Sequence, residues 1–496
     1  MYVLGIDVGT SSVKVSVVEI ASAQAVVTVQ YPDIERHIIS YENGWAEQAP
    51  DQWWADVQQA ILKAHATKKY QPRNIIAIGI SYQMHGLVMV DKNQKVIRNS
   101  IIWCDSRAVS IGDTAFEAIG QDYCLSHLLN SPGNFTASKL AWVKEHEPKL
   151  YQQIYQFLLP GDYIAMQLTA QATTTVSALS EGIFWDFKVQ QVSKKILSYF
   201  GFSEDIIPTI QPVFSVHGTL QTNVASALNL MPGIPVTYKA GDQLNNALSL
   251  NVSEPGEFAA TAGTSGVIYG VADTLIHDQQ SRINSFAHVN YSTFMQRIGV
   301  LLCINGTGIL NKWIRNLTNT SFSYDLMNQM AATIPEGSEG ILVLPFGNGA
   351  ERILENKILN AFIANIDFNK HETAHLFRAA QEGIVFAFRY GLNIMRENNM
   401  VPTVIRAGKA NMFLSELFTD AFVQNMGVPL HLYNNDGSVG AALGAAIGLG
   451  AYTSIKDALQ YQKPLSVIYP DEHKMQKYNL VYQRWEAYLN EQLNKY

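Results

Sequence analysis

The chain has 496 residues, 47 % of them apolar and only 16 % charged, which suits a large buried core and excludes intrinsic disorder. Its formal net charge of −7 offers no basic field to release counterions from nucleic acid or from an anionic membrane. Three scattered cysteines, Cys104, Cys124 and Cys303, exclude a disulfide framework and point to a reducing, cytoplasmic compartment.

The chain opens directly on a strand, Met1-Tyr2-Val3-Leu4-Gly5-Ile6-Asp7, with none of the marks of a secretory leader, so no signal peptide is expected. Asp51 reads as a helix N-cap, with Trp54, Val57, Ile61 and Ala64 following at helical spacing. Residues 75–81 form a buried strand, and residues 87–90 lead through Asp91-Lys92-Asn93-Gln94 into another. A strand over 234–238 delivers Ala240-Gly241-Asp242-Gln243, which leaves the Asp242 carboxylate at a strand end. An N-cap role suits Asp242 equally, because residues 245–250 read as helix. Later come a strand over 404–407, a helix over 411–426 closed by Gly427, a strand over 428–433 and a small-residue helix from Ser438. Strands and helices alternate, so the class is α/β. The longest weakly polar stretch, 438–451, is too short to span a bilayer.

An internal echo organises the chain. Gly5-Ile6-Asp7-Val8-Gly9-Thr10-Ser11-Ser12-Val13-Lys14-Val15 is strand, turn, strand, and Ala259-Ala260-Thr261-Ala262-Gly263-Thr264-Ser265-Gly266-Val267-Ile268-Tyr269 repeats that design. Two duplicated halves facing each other across a cleft are expected, 1–250 and 251–496, divided at the polar Asn251-Val252-Ser253-Glu254-Pro255-Gly256 stretch.

A Gly-Thr-Ser turn suits phosphate: glycine lets the backbone approach, successive N–H groups converge, and the hydroxyls donate further bonds. A single copy is also an ordinary hairpin turn, but two copies, Gly9-Thr10-Ser11 and Gly263-Thr264-Ser265, fit a clasp on one nucleotide. Asp7 stands at a strand end where a phosphate-bound Mg²⁺ would sit, while Lys14 fits either solvent or phosphate. Gln83-Met84-His85 carries polar groups suited to a polyhydroxylated ligand, although a lone histidine is also a common structural residue. Trp103-Cys104-Asp105-Ser106-Arg107 is open in the same way, an internal Asp–Arg pair being its plainer meaning. His371-Glu372-Thr373-Ala374-His375 matches the H-E-x-x-H pattern of zinc peptidases, but its surroundings read as an amphipathic helix and zinc is disfavoured. No P-loop occurs around Gly408-Lys409-Ala410, and Gly306-Thr307-Gly308 is followed by Asn311 where a dinucleotide fingerprint needs glycine.

Taken together, these pieces resemble the FGGY carbohydrate kinases, from about Tyr2 to Tyr452. The resemblance also includes Gly44-Trp45-Ala46-Glu47-Gln48, the Lys139-Leu140-Ala141-Trp142 element, Leu159-Pro160-Gly161-Asp162-Tyr163, Glu351-Arg352 and Arg378-Ala379-Ala380-Gln381-Glu382-Gly383. It implies two ribonuclease-H-like domains of the actin/sugar-kinase/chaperone superfold with a central cleft. It further implies Mg·ATP-dependent phosphorylation of the terminal hydroxyl of a ketopentose. Gln83-Met84-His85-Gly86 with Trp103-x-Asp105 is most similar to members acting on xylulose; ribulose, fuculose, gluconate or glycerol is the alternative, or a non-catalytic ATP-binding protein. By this resemblance Asp242 is the general base and also touches the sugar, with Gln83, Met84 and His85. Gly9, Thr10, Ser11, Gly263, Thr264 and Ser265 hold phosphates, Gly408 and Asn411 lie on the adenine side, and Asp7 sits near Mg²⁺. No nucleic acid or membrane partner is implied, and a homodimer is left open. Cys104 and Thr175 stand where the xylulose-type members usually carry Asn and Asp.

Overall fold

Apolar and β-branched residues make Tyr2–Val8 (β1) and Val13–Glu19 (β2) an antiparallel hairpin that sets Asp7 opposite Lys14. Gln24–Tyr31 (β3) adds antiparallel to β2, while Ile75–Tyr82 (β4) and Val236–Gly241 (β5) extend the other side in parallel. The resulting order is β3-β2-β1-β4-β5.

The computed structural model describes residues 1–460 and 462–495, and within them a second sheet repeats this plan. Glu257–Ala262 (β6) and Gly266–Ala272 (β7) form its hairpin, joined by Asn284–Ala287 (β8) and Ile298–Ile304 (β9). Val404–Gly408 (β10), Leu430–Tyr433 (β11) and Ser466–Ile468 (β12) complete it. Its order is β8-β9-β7-β6-β10-β11-β12. The run β9-β7-β6-β10-β11 therefore matches the first sheet strand for strand, three antiparallel and then two parallel.

Pro50–Ala66 (α1) buries Trp53, Val57, Ala60, Ile61 and Ala64 against β2 and β3. Asp51 is not its cap. Pro50 takes the first helical position, where its fixed φ is already suitable, and Asp51 accepts a hydrogen bond from the Tyr163 hydroxyl at 2.7 Å. Thr136–His146 (α2) and Val176–Glu181 (α3) follow in the first half. Residues past the 91–94 turn make only an isolated bridge, Val96 to Val90, rather than a strand.

Asp242–Ser249 (α4) leaves the first sheet, and Gly308–Thr318 (α5) and Thr373–Glu397 (α6) pack within the second half. His371 lies ahead of α6, Glu372 is its N-cap, and the His375 Nδ1 accepts the Glu372 N–H at 3.0 Å. The two imidazoles thus do not share a helix face; these residues start a helix. The helix expected over 411–426 is divided: Asn411–Leu414 is a single 3₁₀ turn, and Ser415 caps Glu416–Met426 (α7) through the Phe418 N–H.

Gly437–Gly448 (α8) returns to the first sheet. A Cβ on Gly5 or Gly79 would collide with its Ser438 or Ala441 carbonyl, so glycine is required on β1 and β4 for this approach. A Cβ on Gly440 would meet the Ser249 side chain at 2.6 Å, which is how α8 crosses α4. Among the described residues, no helix is long and apolar enough to cross a membrane.

Candidate active site

At the end of β1, the Asp7 carboxylate occupies the space a Cβ on Gly437 would need. Burial raises its pKa above the ordinary value and Asp436 adds to this, against the lowering effects of the Ser81 hydroxyl and Lys14. Lys14 itself pairs with Asp436 at 3.3 Å. Asp242 is the first residue of α4 and Gly241 is its N-cap, so the capping role is not Asp242's. Burial, reinforced by the Asp7 charge, pushes its carboxyl up to about 7. Two carboxyls at the ends of two strands of one sheet therefore raise the local cost of negative charge, a pattern concentrated at functional sites.

The first turn closes with the Gly9 N–H on the Ser12 carbonyl at 3.0 Å, and the Arg36 N–H binds the Ser11 carbonyl at 2.8 Å. Thr10 donates to Gln83 Oε1 at 3.3 Å and receives the Trp103 indole N–H at 3.0 Å. Gln48 donates to the Thr10 carbonyl at 2.6 Å and accepts from Gln83 and Trp53, each at 3.0 Å. Gln83 and the first turn are thus one network.

Met84 packs on Gly241: a Cβ there would lie 2.6 Å from its Cγ. His85 takes a left-handed φ of 61°, lies between Phe135 and Phe286 at ring distances of 4.9 and 5.5 Å, and bonds the Glu181 carbonyl through Nδ1 at 3.0 Å. Burial, with Lys139 nearby, brings its pKa down to about 3. The imidazole is neutral at pH 7, with its proton on Nδ1 toward the carbonyl and a lone pair on Nε2. Lys139 is buried and donates to the His85 and Ile102 carbonyls, both at 3.0 Å; burial lowers its pKa to about 7.

Trp103 is half exposed beside Thr10, whereas Asp105 and Arg107 are buried and form the internal pair, with the guanidinium 3.8 Å from the Trp45 ring and bonded to Glu47. Thr175 caps α3 by accepting the Ala178 N–H at 3.0 Å, a role open to Thr and Asp alike.

The second turn opens on a cavity of about 420 Å³ lined by Gly263, Thr264 and Asn411, and also by Gly308, Asn311 and Ser415. Ser265 lies off this wall, facing the Cys303 thiol. Gly408 lies off it too, 3.5 Å by its Cβ position from the Asn435 Cβ, and Asn435 bonds Asn246 of α4 at 2.8 Å. The segment 434–437 thus connects the nucleotide-side strand end to Asp7 and α4. Glu181, Gln48, Lys139 and Phe286 were not singled out as site residues. Gln48 and Lys139 sit in recognisable motifs, whereas Glu181 and Phe286 carry no sequence signal and reach the site only through tertiary packing.

The sequence model of the FGGY family of carbohydrate kinases, N-terminal domain, matches residues 2–249. The chain belongs to this family and is a phosphotransferase that uses ATP. It is 29 % identical over 490 residues to a Bacillus subtilis protein named xylulose kinase, covering 97 % of this chain and 95 % of the relative. A ligand-bound xylulose kinase from Lactobacillus acidophilus superposes with a TM-score of 0.90 at 21 % identity, over 99 % of this chain and 98 % of the other. A gluconate kinase from the same organism reaches 0.89 at 21 % identity with the same coverage. The fold is therefore the duplicated superfold expected from the sequence.

Proposed function

We propose that the chain transfers the γ-phosphoryl group of Mg·ATP to the terminal hydroxyl of an open-chain ketopentose, D-xylulose first, giving D-xylulose 5-phosphate. The observation that carries this reading is Asp242, a carboxyl ionising near neutrality next to Gly241, on which Met84 packs. The hydroxyl oxygen bonds to the γ-phosphorus as the bond from phosphorus to the ADP oxygen breaks, and the hydroxyl proton passes to the Asp242 carboxylate. A base of this strength acts late, once the alcohol has begun to bond to phosphorus. Neutral His85 accepts a sugar hydroxyl at Nε2, Gln83 and Met84 complete that side, and Gly9, Thr10 and Ser11 face the transferring phosphate. Gly263 and Thr264 hold the remaining phosphates, with Asn411 toward the adenine.

Asp7 fits Mg²⁺. Its carboxylate lies near Asp242 and Asp436, and the one cation acting on it, Lys14, is paired elsewhere. Mg²⁺ there would be held by one or two carboxylates together with water and phosphate oxygens. When bound it supplies neutralisation of phosphoryl charge.

The choice of xylulose rests on the Bacillus subtilis relative's name and on Gln83-Met84-His85-Gly86; the near-equal likeness to a gluconate kinase means that the fold does not select the sugar. We place the reaction in the cytoplasm, where free thiols such as Cys104, Cys124 and Cys303 stay reduced; a homodimer is tested by gel filtration. ADP release from Mg·ATP with xylulose, ribulose, gluconate and glycerol tests the function. Strong stimulation by xylulose alone is expected. Stimulation by another polyol moves the sugar, and none by any sugar overturns the reading.

A further inference from the structure

Glu181 ends α3 and belongs to none of the motifs above. The residue is about 1 % exposed, and its Oε1 is buried without a hydrogen-bond partner. Oε2 lies 2.8 Å from where a Cβ on Gly241 would be, beside the Met84 side chain. Its main-chain carbonyl accepts the His85 Nδ1 proton, and the Tyr82 hydroxyl and His85 N–H face its carboxyl. One residue thus touches the end of β4, the left-handed turn at His85 and the strand end that delivers Asp242.

The helix carrying it is anchored across the two halves. Ser177 Oγ donates to the Ala287 carbonyl at 2.8 Å, and the Ala287 N–H donates to Ser180 Oγ at 2.9 Å. That seam keeps Phe286 against His85. A buried carboxyl with a free oxygen is destabilising, and an apolar residue would fill the same space. Burial raises the pKa of the carboxyl well above its ordinary value.

We propose that Glu181 is a positioning residue for phosphoryl transfer, clamping the His85 turn against the Gly241–Asp242 strand end so that the sugar meets the base in one orientation. This rests on the roles given to His85 and Asp242 above. Glu181→Ala is expected to raise the KM for the sugar about tenfold, as loss of a hydrogen bond to a charge-capable group does, with the KM for ATP unchanged. Glu181→Met, which fills the space without an acceptor, carries the same expectation should the alanine variant not fold. Glu181→Gln keeps the shape and the acceptor and restores most of the sugar KM.

A second readout does not depend on turnover. The His85 main-chain amide, assigned by difference with His85→Asn, is expected to be protected from hydrogen exchange in the parent and in Glu181→Gln, because its N–H faces the carboxyl. It is expected to exchange faster in Glu181→Ala or Glu181→Met, while the Nδ1 bond to the main-chain carbonyl is kept in every variant. A parent that phosphorylates no sugar would sink the functional reading while amide exchange still tests Glu181. Unchanged sugar KM and an unchanged His85 signature in both truncated variants would overturn the positioning role.

Discussion

The two halves share a strand order and a Gly-Thr-Ser turn but use them differently. In the first, Asp7 precedes the turn and Thr10 is tied to Gln83, Gln48 and Trp103. In the second, Thr261 stands in the place of Asp7, and main-chain bonds hold the turn: the Gly308 N–H binds the Gly263 carbonyl at 2.8 Å and the Ile309 N–H binds that of Thr264 at 3.2 Å. The two crossing helices differ in the same sense. Asp436 ahead of α8 is spent on the Ser438 N–H at 2.9 Å and on Lys14, whereas Asp242 at the start of α4 meets Gln243 and the Asp7 charge. A duplicated scaffold provides two equivalent places for an acid, and negative charge is left uncompensated at the one where chemistry is proposed.

The sharpest way to break this asymmetry is Asp242→Asn, expected to lower kcat by roughly 10²–10⁴ with sugar binding, read by calorimetry, nearly intact. On the other side, a Cβ at position 308 would strike the Gly263 carbonyl. Gly308→Ala is therefore expected to raise the KM for ATP about tenfold, the effect of ~1–3 kcal/mol of overpacking, without moving the KM for sugar.

Because Asp242 must be ionised to take the proton and ionises at about 7, kcat is expected to fall about tenfold from pH 8 to pH 6. The sign for stability is opposite. The folded chain holds this proton more tightly than the unfolded chain, so stability is lost as pH rises from about 4 through 7. Asp242→Asn should then melt above the parent at pH 8. The smallest effect is Asp436→Ala, a lost cap costing about 1 kcal/mol in denaturant melts, with kcat within about threefold.

Much of this asymmetry was readable in the sequence because it rests on local signals. Glycine and hydroxyl residues between two β-rich runs mark both turns, and a Gly-Asp pair after an apolar run marks the end of β5. Misreadings arose where two local signals competed. Pro50 outranked Asp51 in starting α1, and Ser415 cut a helical period that Met412 and Phe413 had extended. The zinc-like pattern, disfavoured from its surroundings, is the start of α6 with Glu372 as its N-cap. The role of Glu181 was not legible at all. Its burial depends on Gly241, Tyr82 and Met84 arriving from distant strand ends, and no spacing within residues 173–186 records that.

The close seat of α8 on Gly5 and Gly79 also sets an order of events on the ribosome. The strands of the first sheet are all synthesised before residue 242, but Ala441, Ala442 and Ala445, buried in α8, follow about 200 residues later. Until then the face of β1 and β4 lacks this cover. The first half cannot finish maturing ahead of the second, and a chain released early carries an uncapped apolar groove that invites self-association.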